Sequence, residues 1–231
     1  MVSEDVGVTG MAPVTFLVDV DDTLLDNDRI RTDIQEHLAD SYGVVLAERY
    51  WTVQERRFVE LGYRDYLGAV QEWWEGEGSD PRLLDLSGYL LDYPFADRLY
   101  PRALDVLGHL RRTARALVLT DGDAVFQPWK AHRAGIREAV DGDVLVYVHK
   151  ELELDDVERR YPAERYVLVD DKLRILAAAK EFWGQRVTTV LPRQGQFAND
   201  PEIAVAYPEA DITIERIGEL LDVDPEALCN V

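Results

Sequence analysis

The sequence predicts an α/β protein in which a parallel sheet flanked by helices is interrupted, after its first strand, by an all-helical insertion. Three observations carry this. Short apolar, β-branched runs recur at residues 14–18, 116–119, 143–148, 166–169, 186–191 and 211–214, the pattern of strands buried on both faces. From residue 101 onward these runs alternate with stretches of helical periodicity, the rhythm of β-α-β units. Between residues 27 and 95 the alternation is absent and helical periodicity stands alone.

The first strand organises the rest. In Val14-Thr15-Phe16-Leu17-Val18-Asp19-Val20-Asp21-Asp22-Thr23-Leu24 an apolar run breaks abruptly into three carboxylates. Open α/β sheets bind ligands at the carboxyl ends of their strands, so this strand delivers acids to a cleft. Like carboxylates crowded together disfavour one another's ionised form unless a cation joins them. Hard oxygen donors suit Mg²⁺, which is commonly held by a few carboxylates together with phosphate oxygens. A phosphoryl-transfer site is the resulting expectation.

Composition bounds the alternatives. The 231 residues, 47% of them hydrophobic, suffice for one α/β domain and a smaller inserted one. A net charge of -20 argues against nucleic acid or an anionic membrane as partner, since both select basic surfaces. The single cysteine, Cys229, permits no disulfide within the chain and points to a reducing compartment. Residues 1–12 carry Glu4 and Asp5 and no apolar stretch of signal-peptide type, and are expected to be a flexible tail. The longest apolar runs are strand-length, too short to span a bilayer. A cytoplasmic location is expected.

Along the chain, Ile30, Ile34 and Leu38, then 50–61, then 66–74, show helical spacing. Turn signals at Tyr42-Gly43, at 76–81 and at Tyr93-Pro94 divide the insertion into about four helices. The expected division is a core of residues 13–26 and 97–231 and an insertion of 27–96, with connections at 25–28 and 94–101. In the core, a helix over 102–112 precedes the strand 116–119, which ends at Thr120-Asp121-Gly122. A helix over 127–135 leads to the strand 143–148, followed by His149-Lys150. The strand 166–169 runs into Asp170-Asp171-Lys172, a helix covers 173–182, and the strand 186–191 enters a loop at 192–198. A strand at 211–214 and a helix at 215–221 complete the alternation. Only Lys130, Lys150, Lys172 and Lys180 stand against 21 arginines. A lysine kept at a strand end in so arginine-rich a chain suggests a need for a compact ammonium; Lys150 is favoured, with Lys130, inside a helical stretch, as its competitor.

The strand followed by Asp19-x-Asp21-x-Thr23, with Thr120, Lys150 and Asp170-Asp171 at successive strand ends, resembles the four motifs of the haloacid dehalogenase superfamily in order and approximate spacing over residues 14–222. The resemblance implies a Rossmann-like sheet of strand order 5-4-1-2-3 and a helical cap inserted after the first motif. It implies Asp19 as nucleophile, Asp21 as general acid and base, and Thr120, Asp121, Gly122 and Lys150 as the groups around the transferring phosphoryl. It implies Mg²⁺ held by Asp19, the backbone carbonyl of Asp21, and Asp170 and Asp171. Of that last pair Asp170 is expected to bind directly, with Asp171 acting through water or pairing with Lys150. Asp22 stands where many members carry glycine.

The implied activity is Mg²⁺-dependent hydrolysis of a small phosphorylated metabolite through an aspartyl-phosphate. A phosphomutase of the same superfamily, or a binding module that keeps the fold without catalysis, stays open. The second acid of the first motif argues against a 2-haloacid dehalogenase, and the absence of lysine between Leu24 and Leu99 against a phosphonatase of the Schiff-base type. In the insertion, Trp51, Trp73, Trp74, Tyr63 and Tyr66 with Arg56, Arg57 and Arg64 could make an aromatic and cationic substrate surface; the favoured expectation is that the aromatics fill its core and its contact with the main domain and the arginines are solvated. His37, His109, His132 and His149 show no metal-ligand spacing and are expected to be structural or surface residues.

Overall fold

The computed structural model describes residues 11–77, 82–225 and 227–229. The expected tail up to residue 10 and the turn residues 78–81 lie outside the described residues, as do the side chains of Trp74 and Cys229. Strand β1 (Ala12–Val18) is buried from Thr15 onward, as its apolar run requires. It is followed by helices α1 (Asn27–Tyr42), α2 (Val44–Leu61), α3 (Tyr66–Glu77) and α4 (Arg82–Asp92). Helix α1 starts where the Asp26 carboxylate accepts the Arg29 amide N–H at 2.8 Å, which satisfies a donor the helix cannot. Its Ile30, Ile34 and Leu38 share one buried face. Asp65 plays the same capping part for α3, accepting the Gly68 amide at 2.7 Å.

A 3-10 turn at Phe95–Arg98 returns the chain to the sheet, and the two connections run side by side. Leu25 and Leu99 form an antiparallel bridge. The Tyr100 amide donates to Leu24 O at 2.9 Å and the Asp26 amide to Arg98 O at 2.8 Å. The rest of the chain is α5 (Ala103–Thr113), β2 (Arg115–Asp121), α6 (Phe126–Arg133), α7 (Ile136–Ala139), β3 (Val144–Tyr147), α8 (Leu154–Arg160), β4 (Ala163–Val169), α9 (Leu173–Trp183), β5 (Val187–Pro192), α10 (Gly195–Ala198), α11 (Pro201–Ala206) and β6 (Ile212–Ile214).

The six strands form one sheet in the order β3-β2-β1-β4-β5-β6, and every pairing is parallel. Read from the other edge this is the expected 5-4-1-2-3, extended by β6 beyond β5. Side chains alternate across the sheet with period two. Phe16, Val18, Val118, Val167 and Val190 face a core shared with α1, α5 and α6. Leu17, Leu117, Leu119, Leu168 and Leu191 face one shared with α8 and α9. Both faces of β1 are therefore covered, which is why its sequence reads as a continuous apolar run rather than an alternating one.

Several segments differ from expectation, among them the unanticipated single turn α7 and the short helix α11. Helix α8 was not anticipated, because Leu154-Asp155-Asp156-Val157-Glu158-Arg159-Arg160 buries only one short edge through Leu154, Asp156 and Val157. The expected loop at 192–198 includes the single turn α10. The expected α-helix at 215–221 is a 3-10 helix, Ile217–Leu221. Its buried residues, Ile217 and Leu220, are spaced by three, which matches three residues per turn. Among the described residues no helix is long and apolar enough to cross a membrane.

Candidate active site

The carboxyl ends of β1, β2 and β4, together with the 3-10 turn Lys150–Leu152 after β3, converge on one point. Asp19 leaves β1 with its amide donating to Val169 O at 2.9 Å, which stitches the end of β1 to the end of β4. Its carboxylate is fully buried. One oxygen contacts Lys150 Nζ, and Oδ2 has no hydrogen-bond partner among the described residues. Lys150, also fully buried, donates to Leu119 O at 3.0 Å and lies 2.7 Å from Asp170 Oδ2. Three chain segments thus share one ammonium.

The two adjacent acids after β4 are not equivalent. Asp170 accepts the Lys172 amide on Oδ1 at 2.9 Å and presents Oδ2 to Lys150. Asp171 is equally buried, yet neither of its oxygens has a partner among the described residues. The sequence expectation offered Asp171 for the Lys150 pairing; the structure puts Asp170 there. Asp19, Asp170 and Asp171 each bring a carboxylate oxygen within 4.8 Å of the others. Three buried acids with orphaned oxygens and a single shared ammonium suit a hard divalent cation, because a buried polar group without a partner costs roughly 1–3 kcal/mol and a charged one more.

Electrostatics follow from this crowding. Burial, added to the charge of Asp170, pushes the Asp19 carboxyl up to about 7 against the pull of Lys150. Burial likewise holds Asp171 well above the usual carboxylate range. Burial disfavours the Lys150 ammonium, but the charges of Asp170 and Asp19 outweigh it and keep it protonated. Asp121, at the end of β2, is buried too, but the Lys172 and Lys150 charges outweigh that burial and hold it below the usual range. Lys172 Nζ stands 3.2 Å from Asp121 Oδ1, and Lys150 Nζ stands 3.8 Å away.

Thr120 is buried in β2 with its hydroxyl unpartnered among the described residues. Gly122 follows at φ 140, a conformation open to glycine, and a Cβ there would come within 2.8 Å of Gln127 Cγ. Asp22, in the position where glycine is common in the resembling family, adopts φ 58, which aspartate tolerates better than most residues. Its Oδ1 accepts the Asn27 and Asp28 amides at 2.9 and 3.2 Å, anchoring the start of α1. Burial and the charges of Asp28 and Asp21 push its carboxyl up to about 7.

Above this cluster lies a cleft of about 470 Å³. Asp21, Asp121 and Gly122 line it, whereas Asp19, Thr120, Lys150, Asp170 and Asp171 lie buried beneath the lining residues. Asp21 is held by groups that sequence reasoning did not select. Lys130 Nζ contacts its Oδ1, and Gln127 Nε2 donates to its Oδ2 at 2.8 Å. Both donors sit on α6 and are buried. The available signal was a glutamine and a lysine three residues apart, one turn along α6.

The insertion supplies part of the cleft wall through Phe58, Gly62, Tyr63, Arg64 and Tyr66. Gly62 at φ 78 ends α2 and passes so close to His149 that a Cβ would lie 2.7 Å from its Cε1. One expectation is corrected here and another narrowed. His149, expected to be a structural or surface residue, is half-buried and forms part of the cleft wall. Arg64 is not solvated: it pairs with Glu55 at 2.9 Å and lies 4.6 Å over the Phe58 ring, also in the wall. Arg56 and Arg57 are held by Glu72 and Asp65. Trp73 and Tyr66 are buried as expected.

Comparison with known proteins fits this arrangement. A family model described as haloacid dehalogenase-like hydrolase matches residues 14–182. A crystal structure from Burkholderia xenovorans LB400, described as a haloacid dehalogenase-like hydrolase, is 50% identical over 94% of this chain and 98% of its own, with a TM-score of 0.89. YfnB from Bacillus subtilis, described as a HAD-hydrolase bound to magnesium, is 18% identical over 91% of this chain and 97% of its own, with a TM-score of 0.61. The L-2-haloacid dehalogenase of Xanthobacter autotrophicus is 17% identical over 93% and 97%, with a TM-score of 0.60. At those lower identities the likeness is one of fold. No curated protein matches the sequence.

Proposed function

The chain belongs to the haloacid dehalogenase-like hydrolases, and from that membership and the contents of its cleft we propose that it is a Mg²⁺-dependent phosphohydrolase acting on a small phosphomonoester. The observation that carries the reading is Asp21. A second acid stands two residues beyond the buried Asp19, lines the cleft, and is gripped by Lys130 and Gln127. Displacement of halide from a haloacid has no use for an acid placed to protonate a leaving alcohol. Phosphoester cleavage does.

In this proposal Asp19 attacks phosphorus, forming one P–O bond as the ester P–O bond breaks. Asp21, which must carry a proton when the substrate is bound, gives it to the departing alkoxide. It then takes a proton from the water that attacks the aspartyl-phosphate, releasing inorganic phosphate and restoring Asp19. The Thr120 hydroxyl and Lys150 ammonium stabilise charge on the non-bridging oxygens. Asp19, Asp170 and Asp171, with the carbonyl of Asp21, would hold Mg²⁺, whose part when bound is to neutralise the carboxylates and phosphoryl oxygens together. Because Asp170 already faces Lys150 and Asp171 faces no donor, Asp171 rather than Asp170 is the freer ligand.

Asp19 is fully buried, so a substrate enters only if the helices over it move. The paired connections at Leu25 and Leu99 form a narrow ribbon about which α1–α4 can turn as a cap, shutting bulk water out after closure. The test is release of phosphate from an aryl phosphate with and without Mg²⁺, by the native chain and by Asp19→Asn. Metal-dependent release that disappears in the variant supports the proposal. Release undiminished in Asp19→Asn refutes it.

A further inference from the structure

We propose that the leaving group accepted by this cleft is uncharged and carries an aromatic or comparably flat apolar body, so that the substrate class is phosphomonoesters of aryl or arylalkyl alcohols. This rests on the phosphohydrolase reading for the reaction, though its evidence is the wall of the cleft rather than the acid cluster beneath.

Six aromatic side chains from two parts of the chain line the cleft. Phe58, Tyr63 and Tyr66 come from the insertion, and Phe126, Phe197 and Tyr207 from the core. Tyr66 and Phe126 pack with ring centroids 5.3 Å apart, joining the two sides near Asp21. A volume of about 470 Å³ lies in the range of sites that bury most of a small ligand's surface. Such walls reward apolar area removed from water and offer offset or edge-on contacts to a ring.

The charges in the wall point the same way. Each cation that lines the cleft already faces a carboxylate. Lys130 holds Asp21, Lys172 stands 3.2 Å from Asp121, and Arg174 pairs with Glu151. Arg64 stands 2.9 Å from Glu55 and Arg31 stands 3.7 Å from Asp28. By contrast Asp22 and Asp123, both lining the cleft, accept backbone amides and have no cationic partner among the described residues. A second anionic group on the substrate would have to detach a cation from its partner while facing Asp123, whose carboxylate has no cationic partner among the described residues. A polyol would set its hydroxyls against rings. The polar atoms on the wall left unpartnered among the described residues include Tyr66 Oη, buried at the cleft, which leaves room for a polar substituent on the ring.

Three esters of primary alcohols with similar intrinsic reactivity separate the possibilities: 2-phenylethyl phosphate, ethyl phosphate, and the phosphate of 3-hydroxypropionate. With Mg²⁺, kcat/KM for the phenylethyl ester is expected to exceed that for the ethyl ester by at least about tenfold, equivalent to about 1.4 kcal/mol, with the carboxylate ester slowest. Binding is measured separately by calorimetry on the native chain with the non-hydrolysable 3-phenylpropylphosphonate, propylphosphonate and 4-phosphonobutyrate, where the same order is expected. Phe58→Ala, in the insertion, and Tyr207→Ala, in the core, should each shrink the phenyl-to-ethyl ratio at least about threefold. The ratio is internal to one sample, so partial misfolding of either variant does not mimic the effect.

Turnover with no phenyl preference, or with a preference for the carboxylate ester, overturns the inference and leaves the phosphohydrolase reading standing. A phenyl preference in binding without turnover does the reverse. Failure to bind any of the three phosphonates overturns both.

Discussion

Gln127 Nε2 lies 2.8 Å from Asp21 Oδ2 and 2.8 Å from the carbonyl oxygen of Asp121, so one amide ties the acid beyond β1 to the end of β2. Lys130 takes the other Asp21 oxygen from one helical turn further along α6. A carboxylate gripped on both oxygens cannot wander in the cleft, and a proton donor is effective only within hydrogen-bond reach of its target. The two side chains are therefore positioning residues for Asp21.

Lys130→Met is expected to impair alkyl phosphates far more than 4-nitrophenyl phosphate, whose leaving group departs without a proton. The loss should be about 10²-fold for an alkyl ester and about threefold or less for the nitrophenyl ester, within the usual range for general acid catalysis. Lys130→Arg should recover part of the alkyl activity. A comparable loss with both esters would indicate general structural damage instead, and circular dichroism on the same samples checks the fold.

Lys150 is predicted to matter for folding as well as for turnover. It is the buried cation facing both Asp19 and Asp170, and Lys150→Met strands those acids. Removing one partner of a buried ion pair costs about 3–5 kcal/mol, so the urea midpoint should fall sharply. Added Mg²⁺ should restore some of the loss, since it supplies charge to the same carboxylates.

Mg²⁺ should stabilise the native chain, by about 2.7 kcal/mol at a hundred times its dissociation constant. In Asp171→Asn two opposite changes are expected. Without metal the variant should be more stable than the native chain at neutral pH, because burial holds the Asp171 carboxyl well above its ordinary range. The response to Mg²⁺ should largely vanish. Thermal melts with and without the metal read both effects.

Asp22 yields a pH dependence of definite sign. Its carboxyl is raised to about 7 in the folded protein against an ordinary value near 3.9 for the unfolded chain. Between those values the folded state binds more protons than the unfolded one, so this group's contribution is fully present below about pH 4. It is lost as the pH rises towards 7, at up to about 1.4 kcal/mol per pH unit. Asp22→Asn keeps an acceptor for the Asn27 and Asp28 amides and suits φ 58. The variant should match the native chain near pH 4 and exceed it near pH 8, as chemical denaturation at the two pH values would show. Equal stability at both would contradict the assignment.

The strand ends were legible because Val18, Leu119 and Val169 close apolar runs whose next residues are polar, and burial on both faces of a parallel sheet leaves that mark in sequence. The order of the strands came from the resemblance rather than from the runs. What stayed hidden depends on contacts between distant segments. Lys130 and Asp21 are 109 residues apart, and periodicity on α6 cannot reveal which side chain its inner face meets. Asp170 and Asp171 are adjacent and chemically identical, so only the backbone after β4 distinguishes the one that turns towards Lys150. His149 was read only as a structural or surface residue because its place in the cleft wall arises from the approach of Gly62, which belongs to another part of the chain.

The most direct test of the account is acid quench of the enzyme during turnover of 4-nitrophenyl phosphate with Mg²⁺, followed by mass spectrometry of the peptide that contains Asp19. The native chain should carry a phosphoryl group on Asp19. Asp21→Asn should carry more of it, since this ester needs no proton to leave whereas hydrolysis of the aspartyl-phosphate needs Asp21 as base. Release of phosphate without an adduct on Asp19 in either protein would contradict the account.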